Sequence, residues 1–181
     1  MRKNTYKKVA AMAFGGLAVS AFLFTPNVSA ENTTLRVNVG DVISITAPSK
    51  LSLTAPTGGG FVKGNIEVTV NTNSADGYTL TFASNASAGT LSSSTTSSTI
   101  TSTYTGTKTS SSMSANTWGF ATDNTNFSKI PASATPTTIK TTSTASVDSS
   151  SKTTIQIGIK TAPLLPSGKY SGTVVFTAVT N

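Results

Sequence analysis

Apolar and polar residues alternate with a period of two at both ends of the region beyond residue 30, and that pattern dictates strands. Ile66, Val68 and Val70 alternate with Glu67, Thr69 and Asn71; Tyr78, Leu80 and Phe82 alternate with Thr79 and Thr81. Successive strand side chains point to opposite faces, so each run makes one buried and one polar face. The link between them ends in Asp76-Gly77, whose glycine tolerates positive φ. Together these runs predict a β-hairpin.

The C-terminal third repeats the pattern. Ile155, Ile157 and Ile159 alternate with Gln156, Gly158 and Lys160, and a connection follows over Ala162 to Gly168. Tyr170 to Val179 then carries apolar residues on both faces, which predicts a central or sandwiched strand. Upstream, Leu35, Val37 and Val39, then Val42, Ile43 and Ile45, then Leu51 and Leu53 predict short strands separated by Gly40-Asp41 and Pro48. Beyond residue 30 no capped segment shows helical spacing. The expected fold is all-β, a single antiparallel β-sandwich, Ig-like or jelly-roll-like, with a closed barrel as the alternative.

Two stretches, 84–117 and 133–154, are dominated by Ser and Thr. Such stretches offer little apolar area against ordering entropy, yet Thr favours the β region. Long loops with one or two edge strands are expected, anchored by Leu91, Ile100, Tyr104 and Met113.

The first thirty residues read as a cleaved signal peptide. Arg2, Lys3, Lys7 and Lys8 form a basic start, Val9 to Phe24 is apolar, Pro26 breaks the run, and Val28-Ser29-Ala30 suits a signal peptidase. An uncleaved membrane anchor is the competing reading. The domain expected after cleavage is residues 31–181, with no further membrane span. Four of the thirteen basic residues and none of the six acids lie in the first thirty, which leaves nine basic against six acidic residues, a net +3. The remaining basic residues stand singly, a poor footprint for nucleic acid, so no nucleic-acid partner is expected.

Histidine and cysteine are both missing, and with them the usual general base, thiol nucleophile and soft metal ligands. The six acids are far apart in sequence, so no enzyme and no cofactor are expected. Asp123-Asn124 with Asn126 is oxygen-rich but lacks the spacing of a calcium loop, so no metal site is expected.

Trp118, the single tryptophan, shares a strand face with Phe120. A core role is the default; the functional reading is an aromatic platform for a sugar ring or protein partner, to which Tyr104 is a third candidate. Val68, Leu80, Trp118, Ile157 and Phe176 are the expected core.

The order Val42-Ile43-Ser44-Ile45, Val68-Thr69-Val70-Asn71-Thr72-Asn73, Gly77-Tyr78-Thr79-Leu80, Asn116-Thr117-Trp118-Gly119-Phe120, Ile130-Pro131, Gly158-Ile159-Lys160 and Pro166-Ser167-Gly168-Lys169-Tyr170-Ser171-Gly172-Thr173-Val174-Val175-Phe176-Thr177-Ala178-Val179 resembles the small secreted β-proteins of Saccharibacteria-type candidate-phylum bacteria. A weaker likeness is to WxL-type wall-binding domains, although Gly119-Phe120 follows the tryptophan here. The resemblance implies a secreted or cell-surface protein. The expected function is that of a structural or adhesion protein, adhesin-like or pilin-like, with a soluble carbohydrate- or protein-binding module as the alternative. The expected partners are a host or neighbouring-cell surface, a glycan or cell wall, and further copies of the chain through strand edges.

Overall fold

The longest alternating runs become the longest strands. The structure, a computed structural model, describes residues 36–85, 89–147 and 151–181, so the expected signal peptide lies outside the described residues. Strand β2 (Gly60–Thr72) and β9 (Lys152–Thr161) pair antiparallel without interruption from Gly60↔Thr161 to Thr69↔Lys152. With β1 (Ile43–Thr46), β6 (Thr117–Ala121) and β7 (Ser128–Lys129) they form an antiparallel sheet in the order β1-β2-β9-β6-β7.

Two smaller antiparallel sheets face it. One holds β3 (Tyr78–Ser84) between β8 (Thr137–Thr141) and β11 (Val174–Thr180); the other holds β4 (Leu91–Ser93) between β5 (Thr99–Ile100) and β10 (Tyr170–Ser171). Ile66, Val68, Val70, Trp118, Phe120, Ile155 and Ile157 from the large sheet meet Tyr78, Leu80, Phe82, Leu91 and Ile100 from the small ones in one buried core. Each of these residues sits at the alternate position that its strand turns inward. The fold is thus an all-β antiparallel sandwich without barrel closure, and the described strands all lie in one unit, Val39–Asn181.

A second, smaller core occupies the opposite face of the large sheet. Tyr104, Met113, Ala121 and Phe127 are buried there, with Phe61 half-buried against them and its ring centroid 5.3 Å from that of Phe127. The large sheet is therefore apolar on both faces near β6 and β9. This accounts for the anchors expected in the Ser/Thr-rich stretches: Tyr104 and Met113 enter the second core, Leu91 and Ile100 the first. Those stretches carry β4, β5 and β8 between loops; β5 and β8 are edge strands, whereas β4 is the central strand of its sheet, where one or two edge strands were expected.

Four expectations are corrected. The strands around Ile66–Val70 and Tyr78–Phe82 do not pair as a hairpin; β2 belongs to the large sheet and β3 to a facing one. Both turn their apolar residues into the same core, so the link crosses between layers, with Gly77 at φ 79°. The C-terminal strand is not central. It breaks at Gly172 and Thr173, and β11 is an edge strand whose Val175 and Val179 are exposed. Residues 36–42 form no strand, and Val37 and Val39 stand in solvent. Leu51 and Leu53 also lie outside strands, half-buried over Gly64 of β2, where a Cβ would lie 2.6 Å from Leu53 Cδ2.

Candidate functional site

Unequal strand lengths leave a gap in the sandwich. β2 has 13 residues and β9 has 10, whereas β3 and β11 have 7 each. At ~3.3 Å per residue the long strands overhang the facing ones by roughly 10–20 Å. Past the ends of β3 and β11 the overhang is bordered by coil 47–59, by the 162–169 connection and by the small β10-β4-β5 sheet at Leu91, Ile100 and Tyr170.

The result is a cleft of about 1370 Å³. Its floor is the inward face of the large sheet, at Val62, Ile66, Ile157, Ile159 and Trp118. One wall carries Ile45, Leu51 and Leu53; the other carries Leu91, Leu165, Val174 and Phe176. Consecutive residues from Lys169 to Phe176 line it, so the cleft opens on the backbone edge of this segment as well as on one set of side chains. That edge of β11 pairs with no strand among the described residues, since its one partner, β3, lies on the other side. Among the described residues, the charged ones lining the cleft are Lys50 and Lys169, both cationic and exposed.

Trp118, Phe120 and Tyr104 are not brought together. Trp118 and Phe120 share the inward face of β6, as their spacing predicts, while Tyr104 lies against the other face of the sheet. All three are buried, at 4%, 6% and 8% exposure. Trp118 Nε1 donates to the Gly89 carbonyl at 2.7 Å, and Phe120 stacks against Phe82 with centroids 4.9 Å apart. Tyr104 Oη donates to the Ser128 carbonyl at 2.9 Å, and burial pushes its phenol up to about 12. None of the three stands as an exposed platform: Phe120 and Tyr104 are enclosed in the two cores, and Trp118, though buried, borders the floor of the cleft. The physical reason is that β6 is covered on both faces, by the main core on one side and the Tyr104 cluster on the other.

Asp123 is held by its own loop. Its carboxylate accepts from the backbone N–H groups of Thr125 and Asn126, at 3.0 and 2.8 Å, and from Asn126 Nδ2. The Asn126 bonds above all, then the Thr125 N–H, hold it down at about 2, below the usual carboxylate range. Asn124, at φ 71°, accepts at its Oδ1 from Lys63 Nζ and from Gln156 Nε2. This is a closed turn tied to β2 and β9. Among the described residues no three His, Cys, Asp or Glu side chains come together, and no helix is long and apolar enough to cross a membrane.

Sequence reasoning missed the cleft residues, chiefly Ile45, Leu51, Leu53, Val174 and Phe176. Of these, Phe176 was expected in the core and is only half-buried, because it borders the gap. The available signal was the mismatch between the extended run from Gly60 to Thr72 and the shorter runs it must cover, together with Pro48, Pro56 and Gly58-Gly59-Gly60 in the intervening coil. No family model, curated protein or solved structure matches this chain.

Proposed function

We propose that this chain is a non-catalytic module displayed outside the cell, adhesin-like or pilin-like, which receives an extended segment of a partner along β11. The observation that carries the reading is the coincidence of an unpaired strand edge with an apolar cleft. A strand added there gains backbone hydrogen bonds from β11, and its alternate side chains enter the cleft. Natural sheets usually blunt such edges with charge, proline or a covering element. β11 has no charged residue and no proline between Val174 and Thr180, and although β1 comes close to part of it, no strand pairs with its outer edge among the described residues.

Phe120 and Tyr104 are enclosed and Trp118 reaches the cleft only as a nearly buried part of its floor, which weighs against sugar stacking and favours a polypeptide as the ligand. Placement outside the cell rests on the signal-like residues 1–30. Fractionating the producing cells into medium, wall and membrane tests display, and a fluorescent peptide of alternating Val and Thr tests the cleft. Retention at the surface and saturable peptide binding are expected. Recovery wholly in the medium, or a chain that binds no extended peptide, overturns the reading.

A further inference from the structure

We infer that the strand received by the cleft is the segment Leu35–Val39 of a second copy of this chain. The inference rests on the proposed function and names its partner. Leu35, Val37 and Val39 alternate with Arg36 and Asn38, a strand pattern with one apolar face. The structure nevertheless gives residues 36–42 no strand, and Val37 and Val39 are 73% and 78% exposed. Val37 and Val39, at positions patterned for burial, are thus left in water.

A hairpin closed at Gly40-Asp41 is blocked by bonds already made there. Folding back on β1 through a Gly40-Asp41 turn requires the Val42 N–H to close on the Val39 carbonyl. That N–H already donates to Asn73 Oδ1 at 2.6 Å, and Asn73 Nδ2 donates to the Gly40 carbonyl at 3.1 Å. The Val42 carbonyl is also engaged, by Thr72 Oγ1 at 2.8 Å and by the Asn73 N–H at 3.2 Å. The Asn73 amide therefore clamps the backbone at the point where a hairpin would turn. This leaves the Val39 carbonyl without the closing bond of such a turn.

Charge agrees with this occupant. Acids stand on either side of the segment, at Glu31 and Asp41, while the charged residues lining the cleft are Lys50 and Lys169. Apolar residues facing the cleft from the added strand would meet Ile, Leu and Phe side chains, and Arg36 and Asn38 would remain outside. A contact of this kind joins two different surfaces, so it propagates head to tail and suits a subunit of an assembly.

The chain contains no cysteine, so engineered disulfides report the contact directly. Full-length Val37→Cys is mixed under mild oxidation with full-length chains carrying Val174→Cys, Val175→Cys, Phe176→Cys or Thr177→Cys. Circular dichroism checks each variant for its β spectrum, and Val174→Cys serves as acceptor should Phe176→Cys fail to fold. The expected result is an intermolecular disulfide whose yield alternates, high at positions 174 and 176 and low at 175 and 177. An unlabelled peptide of residues 33–41 should reduce that yield several-fold. Yields without alternation overturn the inference. So does a Val37→Cys/Val174→Cys double variant that closes its disulfide within one chain. Binding of the unrelated Val-Thr peptide without any trans disulfide overturns this inference alone; binding of neither peptide overturns the proposed function as well.

Discussion

Gly119 of β6 lies directly opposite Gly158 of β9, and each serves as the floor for an aromatic ring. A Cβ on Gly119 would overlap Tyr104 Oη and the Ser128 carbonyl oxygen, and one on Gly158 would lie 2.5 Å from Phe127 Cε1. Glycine in a strand interior is costly in entropy, so its presence at two paired positions marks a close approach. The second core exists because these two positions are bare. It is also why Tyr104, from a Ser/Thr-rich stretch, is buried.

Gly119→Ala is therefore expected to destabilise the fold by about 1–3 kcal/mol or more, since the methyl group must displace the phenol or part β6 from β7. Denaturant midpoints measure the loss. Pairing the change with Tyr104→Ala should cost less than the two single effects added, because one obstacle is gone. Strict additivity would show that the ring does not rest on Gly119.

Tyr104 also sets an alkaline limit on stability. Burial raises its pKa from the ordinary 10.0 to about 12 in the folded chain. A group whose pKa is raised on folding contributes stability that is complete below the unfolded value and lost as pH climbs through the folded one. Stability should thus fall between about pH 10 and 12, and Tyr104→Phe should flatten that limb while forfeiting the bond to the Ser128 carbonyl. Denaturation curves across that range, with phenolate absorbance followed in parallel, check the assignment. A limb unchanged in the variant assigns it elsewhere.

Ile157 and Lys152 test the faces of β9. Ile157 turns into the main core at 5% exposure, so Ile157→Asp places an unpaired carboxylate among apolar groups at an expected cost of about 3–5 kcal/mol. Lys152 pairs with Glu67 at 2.8 Å with both side chains about half exposed, so Lys152→Ala should change stability by less than about 0.5 kcal/mol. Equal effects would mean that the faces are wrongly assigned.

Class and core were legible because alternation records burial directly: Val68, Leu80, Trp118 and Ile157 are all buried. Pairing was not legible. Alternation fixes which face of Val68 and Leu80 turns inward but not whether their strands are neighbours in one sheet or opposed across two. The second core was hidden for a different reason. Its floor is glycine and its contributors, Tyr104, Met113 and Phe127, are isolated in polar sequence, so no periodicity announces them. The cleft escaped because it arises from a difference in length between facing strands, which is a property of no single segment.

The same blindness applies to Ser102, which sequence reading leaves among interchangeable hydroxyl residues. It is buried at 7% exposure. Its Oγ donates to the Trp118 carbonyl at 2.7 Å and accepts from the Ile130 N–H at 2.7 Å, joining β6 to the chain leaving β7. Ser102→Ala removes the acceptor for a buried N–H and a donor to a buried carbonyl. Leaving buried polar groups unmet costs about 1–3 kcal/mol each, so a loss of about 2–4 kcal/mol is expected. Ser110 belongs to the same stretch but is exposed, and Ser110→Ala should stay within about 0.5 kcal/mol. Trp118 emission gives a local readout, because the indole sits one residue from Gly119 and is bonded through Nε1 to Gly89. Acrylamide quenching should rise in Ser102→Ala and remain unchanged in Ser110→Ala. Matching stabilities and matching quenching for the two variants would show that Ser102 is a surface hydroxyl like its neighbours.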